Sequence, residues 1–109
     1  QLGGSLLGAA GAAGGFGALF ACDKNIKDVT GDADVSKCLD IVNSLPLVHY
    51  TYKADETQRP YIQTFAQDFN LALHGYEDTT ISVQDMTGVL LGRQHALSAK
   101  VAKLESASG

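Results

Sequence analysis

Val83, Leu90, Leu97 and Leu104 stand seven residues apart, and Thr87, Gln94 and Val101 fall between them, so inner positions recur at alternating steps of four and three. A seven-residue apolar repeat holds one narrow seam on one side of a helix, and a narrow seam suits association with further copies of that helix. These roughly three heptads predict a long C-terminal helix over 84–109 that self-associates through Val83, Thr87, Leu90, Gln94, Leu97, Val101 and Leu104. Gln94 at an inner position is the kind of polar residue that sets register and oligomer state at some cost in stability. The alternative is an amphipathic helix folded onto its own domain.

A chain of 109 residues has room for one modest domain and a tail. Its net charge is −4, and the eight Lys and Arg are scattered without forming a basic stripe, so direct nucleic-acid binding is not expected. From Gly3 to Ala21 the sequence reads GGSLLGAAGAAGGFGALFA, uncharged, and then changes abruptly at CDKNIKD. Its nineteen residues approach the roughly 20 that cross a bilayer as a helix. Each of its glycines weakens a helix by about 1 kcal/mol relative to Ala. The first reading is a flexible or closely packed stalk. A membrane-active segment through residues 2–21 is the second, helped by the small-residue spacings Gly4 to Gly8 and Gly11 to Gly15. A secretory signal is disfavoured because no positive n-region precedes it. The start at Gln1 rather than Met leads us to expect a piece of a longer polypeptide.

Beyond Ala21 the elements are short. Asp32 or Asp34 can cap a helix whose stripe is Val35, Cys38, Leu39 and Val42, stopping before Pro46. LVHYTYK at 47–53 reads as a strand with Val48, Tyr50 and Tyr52 on one face and His49 on the other. Residues 54–59 read as a hairpin-like loop with DETQR as a solvated turn, YIQTF at 61–65 as a second strand, AQDFNLAL as a short helix closed by Gly75, and 79–83 as a third strand. Asp85 is placed as the cap of the final helix.

Cys22 and Cys38 lie sixteen positions apart with no partner at metal-ligand spacing, so both are expected as free thiols in a reducing cytosol, with no metal and no cofactor. His49, His74 and His95 share no spacing and read as surface or core-edge residues. Nothing brings Asp68 and Asp85 together as a carboxylate pair, and the glycines before Ala21 lack the context of a phosphate loop.

In order, these pieces resemble the C-terminal intramolecular chaperone domain of phage tail spikes and tail fibres, a self-cleaving trimerisation module. The family opens with Ser-Asp, two variable residues, Leu, Lys, then Asn or Asp followed by Ile. Here CDKNIKDV supplies Cys22 at the Ser position, Asp23, Ile26 at the Leu position, Lys27, and Asp28-Val29 one residue early. CLDIVNSLPLVHYTYK is similar to the family's helix, leucine-proline turn and aromatic strand, and FAQDF at 65–69 to its hydrophobic-Ala-Gln-Glu-hydrophobic element. ISVQDMTGVLLGRQHALSAKVAKLES is similar to its strand entering a long helix.

The resemblance implies an α+β fold: a small mixed domain with short strands and a helix, followed by a long coiled-coil-like helix, the whole trimeric. Residues 1–21 would be the stalk or membrane-active segment, 22–83 the globular chaperone part, and 84–109 the trimerisation helix. It implies a homotrimeric virion protein of a tail fibre, tail spike or ejection apparatus, assembled in the host cytoplasm alongside other tail or ejection proteins. It also implies cleavage at Ala21-Cys22, with Cys22 as nucleophile, Lys27 as its base and Asp23 in support. A thiol ionises more readily than a hydroxyl and can take an acyl group from its own amide nitrogen. A lysine acts as a base only when burial or a neighbouring cation, here Lys24, disfavours its charge. Because Cys22 departs from the family's Ser, a chaperone domain retained uncleaved is expected, with single-turnover self-proteolysis as the alternative.

Overall fold

The computed structural model describes residues 22–108, which fall into two compact units divided between Asp32 and Ala33. The stalk and membrane readings of residues 2–21 therefore lie outside the described residues. No helix among the described residues is long and apolar enough to cross a membrane. The first unit holds a single 3-10 turn, Lys24–Ile26, and residues 22–32 are exposed throughout.

In the second unit the order is α1 (Val35–Ser44), β1 (Val48–Tyr50), β2 (Tyr61–Gln63), α2 (Ala66–His74) and α3 (Val83–Ser108). Three helices and two antiparallel strands make this the small α+β fold with a long last helix that the sequence predicts. Asp34, of the two candidates, caps α1: its carboxylate accepts from Lys37 N at 3.1 Å. The helix stops at Leu45, whose extended backbone is what a residue before Pro46 adopts. Of the apolar stripe, Cys38 and Leu39 are buried and Val35 and Val42 half-buried, while Ile41, outside the stripe, is buried as well. α2 ends on Gly75, which takes the left-handed φ of 84° that a C-terminal glycine supplies without steric cost, and whose N–H donates to Leu71 O at 3.0 Å.

The core joins Cys38 and Ile41 of α1, Phe69 of α2 and Val89 of α3, with Ile81, Met86, Ala72 and Leu73 packed around them. Phe69 is completely buried. α3 meets α1 through Val89, Gly92 and Ala96. A Cβ built on Gly92 would stand 2.6 Å from Cys38 Sγ and 3.0 Å from Cys38 Cβ, so the two helices touch where Gly92 has no side chain.

β1 and β2 pair as Val48 with Gln63, His49 with Ile62 and Tyr50 with Tyr61. The half-buried face carries Val48, Tyr50, Tyr61 and Gln63, while His49 and Ile62 point to solvent, as period-2 alternation demands. The strands are shorter than the 47–53 and 61–65 read from the sequence because the loop folds back early. Asp55 N donates to Tyr52 O at 3.1 Å. The Asp55 carboxylate accepts from Thr57 Oγ1 and Thr57 N, and these bonds hold its pKa below the ordinary carboxylate value. Gln58 adopts a left-handed φ of 51°. It accepts from Thr51 Oγ1 at 2.7 Å and donates to Tyr52 O at 3.2 Å and to Asp55 O, bonds that offset the strain of that conformation.

The third strand expected at 79–83 is not formed. Residues 79–82 are irregular and Val83 already begins α3. The reason is a side chain: buried Asn70 donates through Nδ2 to Thr80 O at 2.8 Å and to Ala66 O at 2.9 Å, taking the acceptor a strand partner would use. Nor does Asp85 cap α3. Ser82 does, accepting from Asp85 N at 3.1 Å through Oγ and from Met86 N at 2.9 Å through its carbonyl. Asn70→Ala is expected to lose about 1–3 kcal/mol, since it strands the Thr80 carbonyl and opens space beside Phe69. Urea unfolding followed by circular dichroism measures this; a midpoint equal to that of the parent protein would mean the connection is held some other way.

Candidate functional site

The sequence singled out two places for function, the segment that opens at Cys22 and the seam on α3. In the first, Asp23 begins the 3-10 turn: its carboxylate accepts from Asn25 N at 2.9 Å and its carbonyl from Ile26 N at 3.2 Å. Lys27 closes the turn, its N–H donating to Lys24 O at 3.3 Å. Cys22 thus stands immediately before a capped turn and Lys27 immediately after it, both exposed. Asp23 has a defined task there, since it organises the backbone between the two. Ala21, on the other side of the expected scissile bond, lies outside the described residues.

In the second place, α3 carries two apolar faces. Val89, Gly92 and Ala96 are buried against the domain. Val83, Leu90, Leu97, Val101 and Leu104 are 66%, 37%, 39%, 48% and 70% exposed, and Thr87 and Gln94 are exposed beside them. At 100° per residue the seam is centred roughly 140° around the helix from the buried stripe. Gln94 Nε2 donates to Ser98 Oγ one turn on, at 3.2 Å. The reading of a helix folded onto its own domain therefore holds, and the contact is made through residues other than the seam, which stays exposed. The sequence reading missed the buried stripe. Its signal was the pair of small residues Gly92 and Ala96 four apart, a spacing that lets helix backbones approach.

The remaining residues fall elsewhere. His49 is exposed on β1 and His95 on α3. His74, at the end of α2, meets Asp85 in the first turn of α3 through Nε2 and Oδ2 at 3.1 Å and stacks on Tyr76, so it fastens α2 to α3. Cys38 is buried in the core, as its place on the α1 stripe predicts. At the hairpin, Tyr50, Tyr52 and Tyr61 form a cluster with ring centroids 5.1–5.5 Å apart, and the Arg59 guanidinium lies 4.0 Å from the centre of the Tyr61 ring. The hydrogen bond to Tyr52 raises the pKa of Tyr50.

Compared with known families, the chain matches the chaperone of endosialidase family model over residues 22–75. That match begins at Cys22, where the composition changes, and ends at Gly75, the cap of α2. The segment belongs to this family. It is an intramolecular chaperone domain of the phage tail-protein kind, which makes the chain a virion-associated protein. A comparison with the curated proteins gives no match. The matched residues supply the 3-10 turn, α1, the hairpin and α2, and α3 follows directly.

Proposed function

We propose that this chaperone domain drives three copies of the chain into register through α3, and that it remains attached to a tail-fibre, tail-spike or ejection-apparatus protein. The observation that carries this is the second apolar face of α3: five large side chains of the heptad repeat stay in solvent after the helix has satisfied its own domain. From Leu97 onward every residue of α3 through Ser108 is exposed, so none of the last three turns is buried in the domain among the described residues. An isolated seam of this length is marginal, and the globular part of residues 22–83 would steady it. Residues 84–109 then act as the trimerisation helix and residues 1–21 as the stalk.

Leu97→Asp with Leu104→Asp tests this, because both positions lie clear of the core. Light scattering on the parent protein is expected to give three times the monomer mass, and the double variant one. Circular dichroism should show the domain still folded. A monomeric parent at micromolar concentration, or a variant that stays trimeric, would sink the reading.

A self-protease reading rests on the placement of Cys22 and Lys27 at either end of the turn capped by Asp23. The burial that makes a lysine a base is not supplied within residues 22–32. This is in keeping with retention, and cleavage at Ala21-Cys22 would require burial by other parts of an assembly. Purified protein on a denaturing gel is expected to run as one band, like Cys22→Ala and Lys27→Ala. A fragment beginning at Cys22, present in the parent and lost in both variants, would establish autoproteolysis instead.

A further inference from the structure

The hairpin, the start of α2 and the connection into α3 enclose a cleft of about 660 Å³, within the range of roughly 300–1,000 Å³ that small-ligand sites occupy. Its described lining residues include no Asp, Glu, Lys, Arg or His, although charged residues make up 18% of the chain. In their place stand three aromatic rings, those of Tyr50, Tyr52 and Phe65, and a set of neutral hydrogen-bonding groups from four threonines and two glutamines. Such a lining gives no ionic partner to a phosphate, a carboxylate or an ammonium group. It does give aromatic faces, whose negative quadrupole attracts polarised C–H groups, beside hydroxyls and amides that both donate and accept.

Further features fit this lining to one ligand class. Tyr52 and Phe65 are half exposed, at 55% and 50%, so their faces remain available. The phenol oxygens of Tyr50 and Tyr52 lie 3.4 Å apart, a long contact that leaves each able to bond a further hydroxyl. Thr64 is 9% exposed, and its hydroxyl has no hydrogen-bond partner among the described residues. Side-chain bonds from elsewhere hold both walls in place: Gln58 fixes the backbone at Tyr52 and Asn70 fixes it at Thr80. The cleft is preformed before anything enters it.

The geometry points to a binding site for a neutral saccharide, whose C–H face stacks on Tyr52 or Phe65 while its hydroxyls bond the tyrosines, threonines and glutamines. Of the seven seam residues Val83 alone lines the cleft, and the assignment stands independently of the trimer reading.

The test is a titration of the ¹⁵N-labelled full chain with maltotriose, cellotriose and mannotriose, and with trigalacturonate as the charged counterpart. At least one neutral trisaccharide is expected to shift the Thr64 and Thr80 amides saturably, with a millimolar or tighter Kd. Tyr52→Ala should weaken that binding at least about tenfold. Ile62→Ala, on the opposite face of the hairpin, should leave it unchanged, and preserved dispersion of the other amides shows that each variant is folded. No saturable shift with any of the three up to about 50 mM, far weaker than a 1 mM site, overturns the proposal. Equal binding of trigalacturonate, or shifts that survive Tyr52→Ala, would do the same. An uncharged Ala-Ser-Gly-Ala-Ser peptide that shifts these amides where the saccharides do not would assign the cleft to polypeptide and overturn it too.

Discussion

Phe69→Ala is expected to cost about 3–5 kcal/mol, the range for removing a fully buried aromatic ring from a core that cannot close over the gap. Phe69 is 0% exposed and touches the core from α2, while Cys38 and Ile41 reach it from α1 and Val89 from α3. The unit from Ala33 onward is small, and small domains sit at the lower end of the 5–15 kcal/mol over which proteins are stable. The variant should therefore be largely unfolded at 25 °C, with lost amide dispersion and a shallow urea transition. Phe65→Ala is the matched comparison, four residues earlier at the N-cap of α2 and 50% exposed. Its cost should stay under about 1.5 kcal/mol, since only part of its apolar area leaves a buried setting. Equal losses for the two would show that Phe69 does not hold the three helices together.

Gly92→Ala is expected to destabilise, against what helix propensity alone says. Alanine favours a helix interior by about 1 kcal/mol over glycine. Here, however, the new methyl would lie 2.6 Å from Cys38 Sγ, a short side chain within the α1–α3 contact, and 3.0 Å from Cys38 Cβ. Overpacking of this kind costs about 1–3 kcal/mol. The net effect should be a loss of up to about 2 kcal/mol, and it should depend on Cys38. Cys38→Ala removes the nearer of the two atoms. The double variant should therefore be more stable than the sum of the single changes predicts, by about 1 kcal/mol or more in urea unfolding. Additive effects would mean that α3 can slide away from α1 at little cost, and the close contact at Gly92 would then not matter.

These two residues also mark the limits of reading this chain as a string. Phe69 lies in FAQDF, a motif visible at once that sets Phe65 at the end of a strand and Phe69 in the following helix, without saying which of the two is buried. Phe69 is completely buried because it lies within α2 on the face turned to the core, whereas Phe65 precedes the helix in extended backbone and is half exposed. Gly92 interrupts the longest helix, and only the position of Cys38 on another helix gives it a purpose. At 79–83, four β-branched residues in five are a fair strand signal, but a strand needs a partner. Asn70, ten positions before Thr80, occupies the acceptor instead.

By itself the sequence determined what depends on neighbours along the chain. The helical spacing of α1 with a cap at Asp32 or Asp34, the two strands around a polar loop, the Gly75 stop and the heptad repeat of α3 all follow from spacing over a few residues, where backbone geometry alone decides which side chains share a face. The tertiary structure decided which of two apolar faces of α3 turns inward. Both faces have helical spacing, and the choice fell to close approach: the stripe of Val89, Gly92 and Ala96 is narrow enough to lie against Cys38, whereas the leucines of the seam are too bulky for that contact and remain in solvent.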